Sequence, residues 1–124
     1  MKRKTKMEFN YIVEEKSGFR VISLNGNLLD REMASEMLTT VDELIAKGQN
    51  HLIIDLKELD HINSNGLNVL ITILTKARNA GGDSIITNIP EKVNKLFIIT
   101  KLNTVFTVTD SRKAAFEEFS NLSH

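Results

Sequence analysis

Two stretches of this chain carry side chains whose types and spacing could support chemistry. In the first, His61 stands three residues before Ser64, within the run His61-Ile62-Asn63-Ser64-Asn65-Gly66. A histidine near a serine raises the idea of a base and a nucleophile. That chemistry also needs a third group to orient the imidazole and donors for an oxyanion, and the local sequence offers neither. A solvated loop histidine is the plainer expectation for His61, and no catalytic residue is expected. In the second stretch, Asp55 closes the apolar run Leu52-Ile53-Ile54. A response-regulator receiver domain holds its phosphoacceptor at such a strand end. Here, however, no acidic pair ends an early strand, and no lysine closes Val105-Phe106-Thr107-Val108. Asp55 is therefore expected to be a strand-end residue that bonds loop amides.

Ser64 on its own reads as a helix cap, its hydroxyl accepting from an N–H two or three residues on, worth about 1 kcal/mol. Neither Gly-x-x-x-x-Gly-Lys-[Ser/Thr] nor Gly-x-Gly-x-x-Gly occurs, so nothing points to a nucleotide cradle. The chain has no cysteine and three histidines, one of them the C-terminal His124. No metal site and no cofactor are expected.

The elements that would position these residues follow from periodicity. Phe9 to Glu15 and Phe19 to Leu24 are short runs rich in aromatic and β-branched residues, split by Lys16-Ser17-Gly18, and read as a hairpin. Asn25-Gly26-Asn27 is a turn cluster expected to end the second strand. The period then changes: Asp30 caps a helix on which Met33, Met37, Val41, Leu44 and Ile45 recur at three and four, ending at Gly48. The unbroken run Leu52 to Ile54 predicts a central buried strand, followed by a short loop. A second helix begins near Ser64 or Asn65, carries Leu67, Leu70, Ile71, Leu74 and Ala77, and stops at Gly81-Gly82. Ser84 to Thr87 is a strand, and Pro90 opens a helix bearing Val93, Leu96 and Phe97. Val105 to Val108 is a strand, and Asp110 or Ser111 caps a last helix with Ala114, Ala115, Phe116 and Phe119. The expected fold is a single α/β domain of order ββαβαβαβα, a mixed sheet of about five strands packed by about four helices.

Composition sets the outer bounds. At 124 residues, 41% apolar and 26% charged, one core suffices without disulfides. Sixteen basic and sixteen acidic residues cancel, which argues against a surface that tracks nucleic-acid phosphates or anionic lipid. Residues 1–7 form a basic tail, with Lys2, Arg3, Lys4 and Lys6, ahead of a domain over residues 8–124. The tail is not a signal peptide, because Glu8, Asn10, Glu14 and Glu15 interrupt what would be its apolar region. Nor does any stretch reach the roughly 18 apolar residues of a membrane span.

Leu52 to Leu70 resembles the STAS-domain anti-sigma factor antagonists of bacteria. Their pattern is an apolar strand ending in Asp-Leu, a short loop, Ile, then Asp-Ser-Ser/Thr-Gly-Leu and an apolar helix. The hairpin, the Gly26-Asn27-Leu28 turn and the closing Leu102, Phe106, Asp110-Ser111 and Ala114 fall in the same order. The resemblance implies a non-enzymatic cytoplasmic protein that binds an anti-sigma factor of kinase fold and is switched off when that serine protein kinase phosphorylates it. Ser64 matches the phosphorylated position, and a phosphatase could reset it. Contacts to the partner are expected from Asn27, Leu28, Asn63, Ser64, Asn65 and Gly66. The chain departs from the pattern twice, with Asn63 for the aspartate and Asn65 for the second hydroxyl residue. Both departures favour an alternative, a scaffold or sensor subunit of a larger signalling assembly without a working phospho-switch. Neither nucleic acid nor membrane is expected as a direct partner, and the protein alone is expected to be monomeric or weakly dimeric.

Overall fold

A computed structural model describes residues 8–122. The basic tail of residues 1–7 and the last two residues lie outside it. Strand β1 (Phe9–Lys16) turns through Ser17-Gly18, both at positive φ, into β2 (Phe19–Leu28). After a short 3-10 turn over Glu32–Ala34 come α1 (Ser35–Ala46), β3 (His51–Ile62), α2 (Ser64–Asn79), β4 (Asp83–Thr87) and α3 (Glu91–Ile99). A second 3-10 turn (Leu102–Thr104) leads to β5 (Thr107–Thr109) and α4 (Arg112–Leu122). The expected order is thus observed. The strands lie side by side in chain order, β1 antiparallel to β2 and the remaining pairs parallel.

Alternation along the parallel strands sorts the core into two layers. Val21, Ile53 and Ile85 stand in one row across β2, β3 and β4 and pack on Ala115 and Phe119 of α4. The next row, Ile22, Ile54 and Ile86, faces the larger cluster formed by α1, α2 and α3, with Met37, Val41, Leu70, Ile73, Val93 and Phe97. Each fully buried aliphatic side chain contributes about 1.5–3 kcal/mol, so the three-helix side carries most of the stabilisation. The single helix on the other side is held by fewer apolar contacts, supplemented by Phe19 stacking on Phe116 at 6.0 Å.

Several expectations need correction, and each has a backbone cause. Asn25-Gly26-Asn27 is not a turn that ends β2, since the strand runs through it to Leu28. Gly26 at φ +93 absorbs the irregularity, and a Cβ there would meet the Glu8 carbonyl oxygen of the hairpin. The expected loop after Asp55 is also strand. Ser23 pairs with Asp55 but Asn25 with Glu58, and Gly26 pairs with Leu59 but Asn27 with His61. At each step β3 carries one residue more than β2, which is the signature of a bulge. The two bulges replace the twofold rhythm by a threefold one, with Leu56 and Leu59 buried and Ile62 half-buried. Such spacing does not read as a strand from sequence. His61 is accordingly a strand residue rather than a loop one. The first helix starts as a 3-10 turn, where Asp30 Oδ1 accepts from Met33 N at 2.8 Å. The fifth strand is shorter and later than Val105 to Val108, because Leu102–Thr104 winds into the second 3-10 turn.

Candidate functional site

The end of β3 delivers the chain into α2. Leu28 closes β2 opposite Ile62, and α2 begins two residues after Ile62. Its first turn lies hard against this strand end. A Cβ on Gly66 would sit 2.2 Å from the Leu28 carbonyl oxygen and 2.6 Å from Ile62 Cγ1. Only a residue without a side chain permits that approach. Leu28 is wholly buried and Gly66 is buried too, so the two set the position of the helix start.

The cap of this helix is Asn63, not Ser64 as its sequence context suggests. Asn63 is extended (φ −122, ψ −171), its Oδ1 accepts from Gly66 N at 3.0 Å, and its carbonyl oxygen accepts from Leu67 N at 2.9 Å. An asparagine side chain reaches the N–H three residues on as well as a serine does, and here it stands one position earlier. Ser64 becomes the first helical residue. Asn63, Ser64 and Asn65 are all exposed. Among the described residues, nothing hydrogen-bonds the Ser64 hydroxyl or the backbone N–H of Ser64 and Asn65. These free donors and the helix dipole give the position a local preference for negative charge.

Of the other expected contact residues, Asn27 is only 8% exposed. Its Oδ1 accepts from His61 Nδ1 at 2.9 Å, across the paired strands. His61 is thereby tied to β2, and that ring nitrogen is committed. Two open clefts lie near this helix start. One, of about 430 Å³, is lined by Asp30, Arg31, Asn65, Asn68 and Val69. The other, of about 150 Å³, is lined by Asp60, His61, Ile62, Lys92, Val93 and Leu96. Exposed polar side chains beside open clefts suit a protein surface better than the enclosed concave pocket of a small-molecule site.

A second polar cluster was only half legible in the sequence. Asp55 does bond an amide, as expected, with Oδ1 accepting from Lys57 N at 2.9 Å inside the first bulge of β3. It also accepts from Asn88 Nδ2 and, at 2.7 Å, from Arg112 Nε. Arg112 continues to Glu14 Oε1 at 3.0 Å and Ser23 Oγ at 2.8 Å, so one guanidinium joins β1, β2 and β3. These bonds, that to Asp55 foremost, hold the Arg112 pKa above its usual value, against the opposing effect of partial burial. Nothing in the spacing of residues 14, 23, 55 and 112 foretells their meeting, because strand register brings them together.

The chain belongs to the STAS domain family, which matches residues 10–115. It is 29% identical over 99 residues to BtrV of Bordetella bronchiseptica, assigned as an anti-sigma factor antagonist, with 80% of this chain and 78% of that protein covered. Among solved structures, an anti-sigma factor antagonist from Mycobacterium paratuberculosis superposes with a TM-score of 0.79 at 20% identity, covering 92% of this chain and 96% of the other. The Bacillus cell fate determinant SpoIIAA in its phosphorylated form gives 0.68 at 18% identity, over 89% and 99%. Within the described residues, no helix is long and apolar enough to cross a membrane.

Proposed function

We propose that this protein is an anti-sigma factor antagonist, a cytoplasmic binding protein rather than an enzyme, whose contact with a kinase-fold anti-sigma factor is switched by phosphorylation of Ser64. The observation that carries this reading is the uncommitted hydroxyl of Ser64. Asn63 does the capping, so Ser64 Oγ stays exposed and free to attack the γ-phosphorus of a nucleoside triphosphate held by the partner. The serine proton passes to a base of the partner, the Oγ–P bond forms as the bridging P–O bond breaks, and the nucleoside diphosphate leaves. The product adds about −1.5 to −2 charges at the helix start, where the fold tolerates them. The partner's surface bears the cost, as a desolvated contact now meets a dianion, and dissociation speeds up. A phosphatase restores the hydroxyl. Asn63, Ser64, Asn65 and the edge of Asn27 touch the partner, while Leu28 and Gly66 seat the helix beneath them.

The test is a phosphorylation and binding assay with the anti-sigma factor of the same organism. The expected result is one phosphate on the wild type, mapped to Ser64, and none on Ser64→Ala. Ser64→Asp is expected to bind at least about tenfold more weakly than Ser64→Ala. Equal binding by the two variants sinks the switch. An unmodified Ser64 in the company of other STAS chains would support the scaffold reading that the Asn63 and Asn65 departures favour.

A further inference from the structure

Helix α3 is apolar all round in its last turn, where Leu96, Phe97, Ile98 and Ile99 follow one another. A helix of that kind is normally covered on every side, yet only one side is covered here. Val93 and Phe97 are buried on the sheet, while Ile98 is 53% and Ile99 76% exposed. Scattered exposed apolar residues are ordinary, but two adjacent isoleucines on one helix end are a patch. Charge frames that patch. Lys92, Lys95 and Ile99 recur at three and four residues and share one line of the helix surface, and Lys101 follows the last turn. All three lysines are exposed, and none has an acidic partner among the described residues, whereas Lys76 of α2 is paired with Asp42 at 2.8 Å. Lys92 also lines the cleft beside Asp60 and His61, so the stripe leads from the Ser64 end of the sheet to the far end of α3.

We infer that the outer face of α3 is a docking surface for an acidic, amphipathic segment of a protein partner, independent of the phosphorylation state of Ser64. The two isoleucines supply the apolar centre, and the unpaired lysines call for carboxylates around it. Overall neutrality makes an anionic membrane a poorer match, since the two lysines of this short helix and Lys101 beyond it are accompanied by Glu91 and by as many acidic as basic residues in the whole chain. A second copy of the chain would have to bring its own lysine stripe to this one across a symmetric contact, placing like charges together.

The probe is a synthetic helical peptide of glutamates and leucines spaced as an amphipathic face, titrated into the full chain while backbone amide shifts are followed by NMR. The shifts are expected to concentrate on residues 91–105, and affinity is expected to fall at least about tenfold between about 0.1 and 0.5 M salt. Ile98→Ser with Ile99→Ser, and separately Lys92→Glu with Lys95→Glu, are each expected to remove binding while thermal unfolding stays near wild type. Ser64→Ala and Ser64→Asp are expected to bind the peptide like wild type, which separates this surface from the switch. Shifts spread over other faces, no shift at α3, or equal binding of a lysine–leucine peptide overturns the inference. It is overturned in favour of lipid if vesicles of phosphatidylcholine with about one-third phosphatidylglycerol bind the wild type and not the isoleucine variant. It is overturned in favour of self-association if sedimentation shows a dimer that Ile99→Ser dissociates.

Discussion

Ser64 and Arg112 occupy the same place in two strand–helix units. Each is the first residue of a helix that follows a parallel strand, and each comes directly after the residue that caps that helix. Asn63 Oδ1 accepts from Gly66 N at 3.0 Å, and Ser111 Oγ accepts from Ala114 N at 3.1 Å. With the cap in place, the first residue's side chain is free for other use, and the two are used in opposite ways. Arg112 turns onto the sheet and commits donors to Asp55, Glu14 and Ser23, whereas Ser64 turns outward and commits none to the described fold. Charge and hydrogen-bond density therefore mark a cluster that holds the sheet together, whereas the hydroxyl at the other helix start is left idle. A search for function by clustered ionisable groups would have stopped at Asp55.

The sharpest way to break the comparison is to move the helix that carries Ser64. Gly66→Ala puts a methyl group into the Leu28 carbonyl and Ile62, where the strand end cannot retreat without losing its pairing with β3. The expected loss is about 3 kcal/mol, at the upper end for overpacking, read as a lower urea midpoint. At the Arg112 end, Asp55→Ala removes the anchor of the guanidinium and the acceptor of the bulge amide of Lys57. Asp55 is buried but Arg112 keeps about a third of its side chain in water and can rehydrate. The expected cost is therefore about 2 kcal/mol rather than the larger penalty of a sealed pair. Protection of α4 amides from exchange should fall before that of α2. Equal loss in both helices would show that the clamp serves the whole sheet rather than the layer under α4.

A smaller effect tests the cap itself. Asn63→Ala should cost about 1 kcal/mol, while Asn63→Asp keeps the acceptor and adds a favourable charge at the helix start, a gain of about 0.3–1 kcal/mol. Asn63→Asp also restores the aspartate of the family pattern. If it destabilised the protein, the geometry of the cap would be wrong.

The same contrast explains what could be read without coordinates. Helices α1, α2 and α4 were visible because Met37, Val41, Leu67, Leu70, Leu74 and Phe119 repeat at the helical period. The order of elements followed from the alternation of strands and helices once the hairpin was placed, whereas the side-by-side order of the strands is seen only in the structure. Ser64 was legible because a local motif specifies a local position. The cap was misplaced by one residue because Asn and Ser are near-equal caps, and sequence alone does not say which of two neighbours is extended. The run from Lys57 to His61 was lost because each bulge shifts the side-chain phase. Arg112 was lost because its partners are up to 98 residues away and meet only through register.

The smallest expected effect on the fold belongs to Ser64. Its hydroxyl makes no hydrogen bond within the described residues, and its backbone sits at a helix start where aspartate is well tolerated. Ser64→Ala and Ser64→Asp should each change stability by less than about 0.5 kcal/mol, the aspartate tending to the stable side. Arg112→Ala, the matching truncation, takes the cationic partner from buried Asp55, leaving it only the Lys57 amide and the Asn88 side chain, and should cost several times more. Equilibrium unfolding of these three variants in one buffer sets the two helix starts side by side. A large loss at Ser64 would mean that the hydroxyl works inside the fold, and its modification would then act by unfolding the helix. With the expected small loss, any effect of a charge at Ser64 on partner binding has to arise at the interface, because the domain that presents it has not changed.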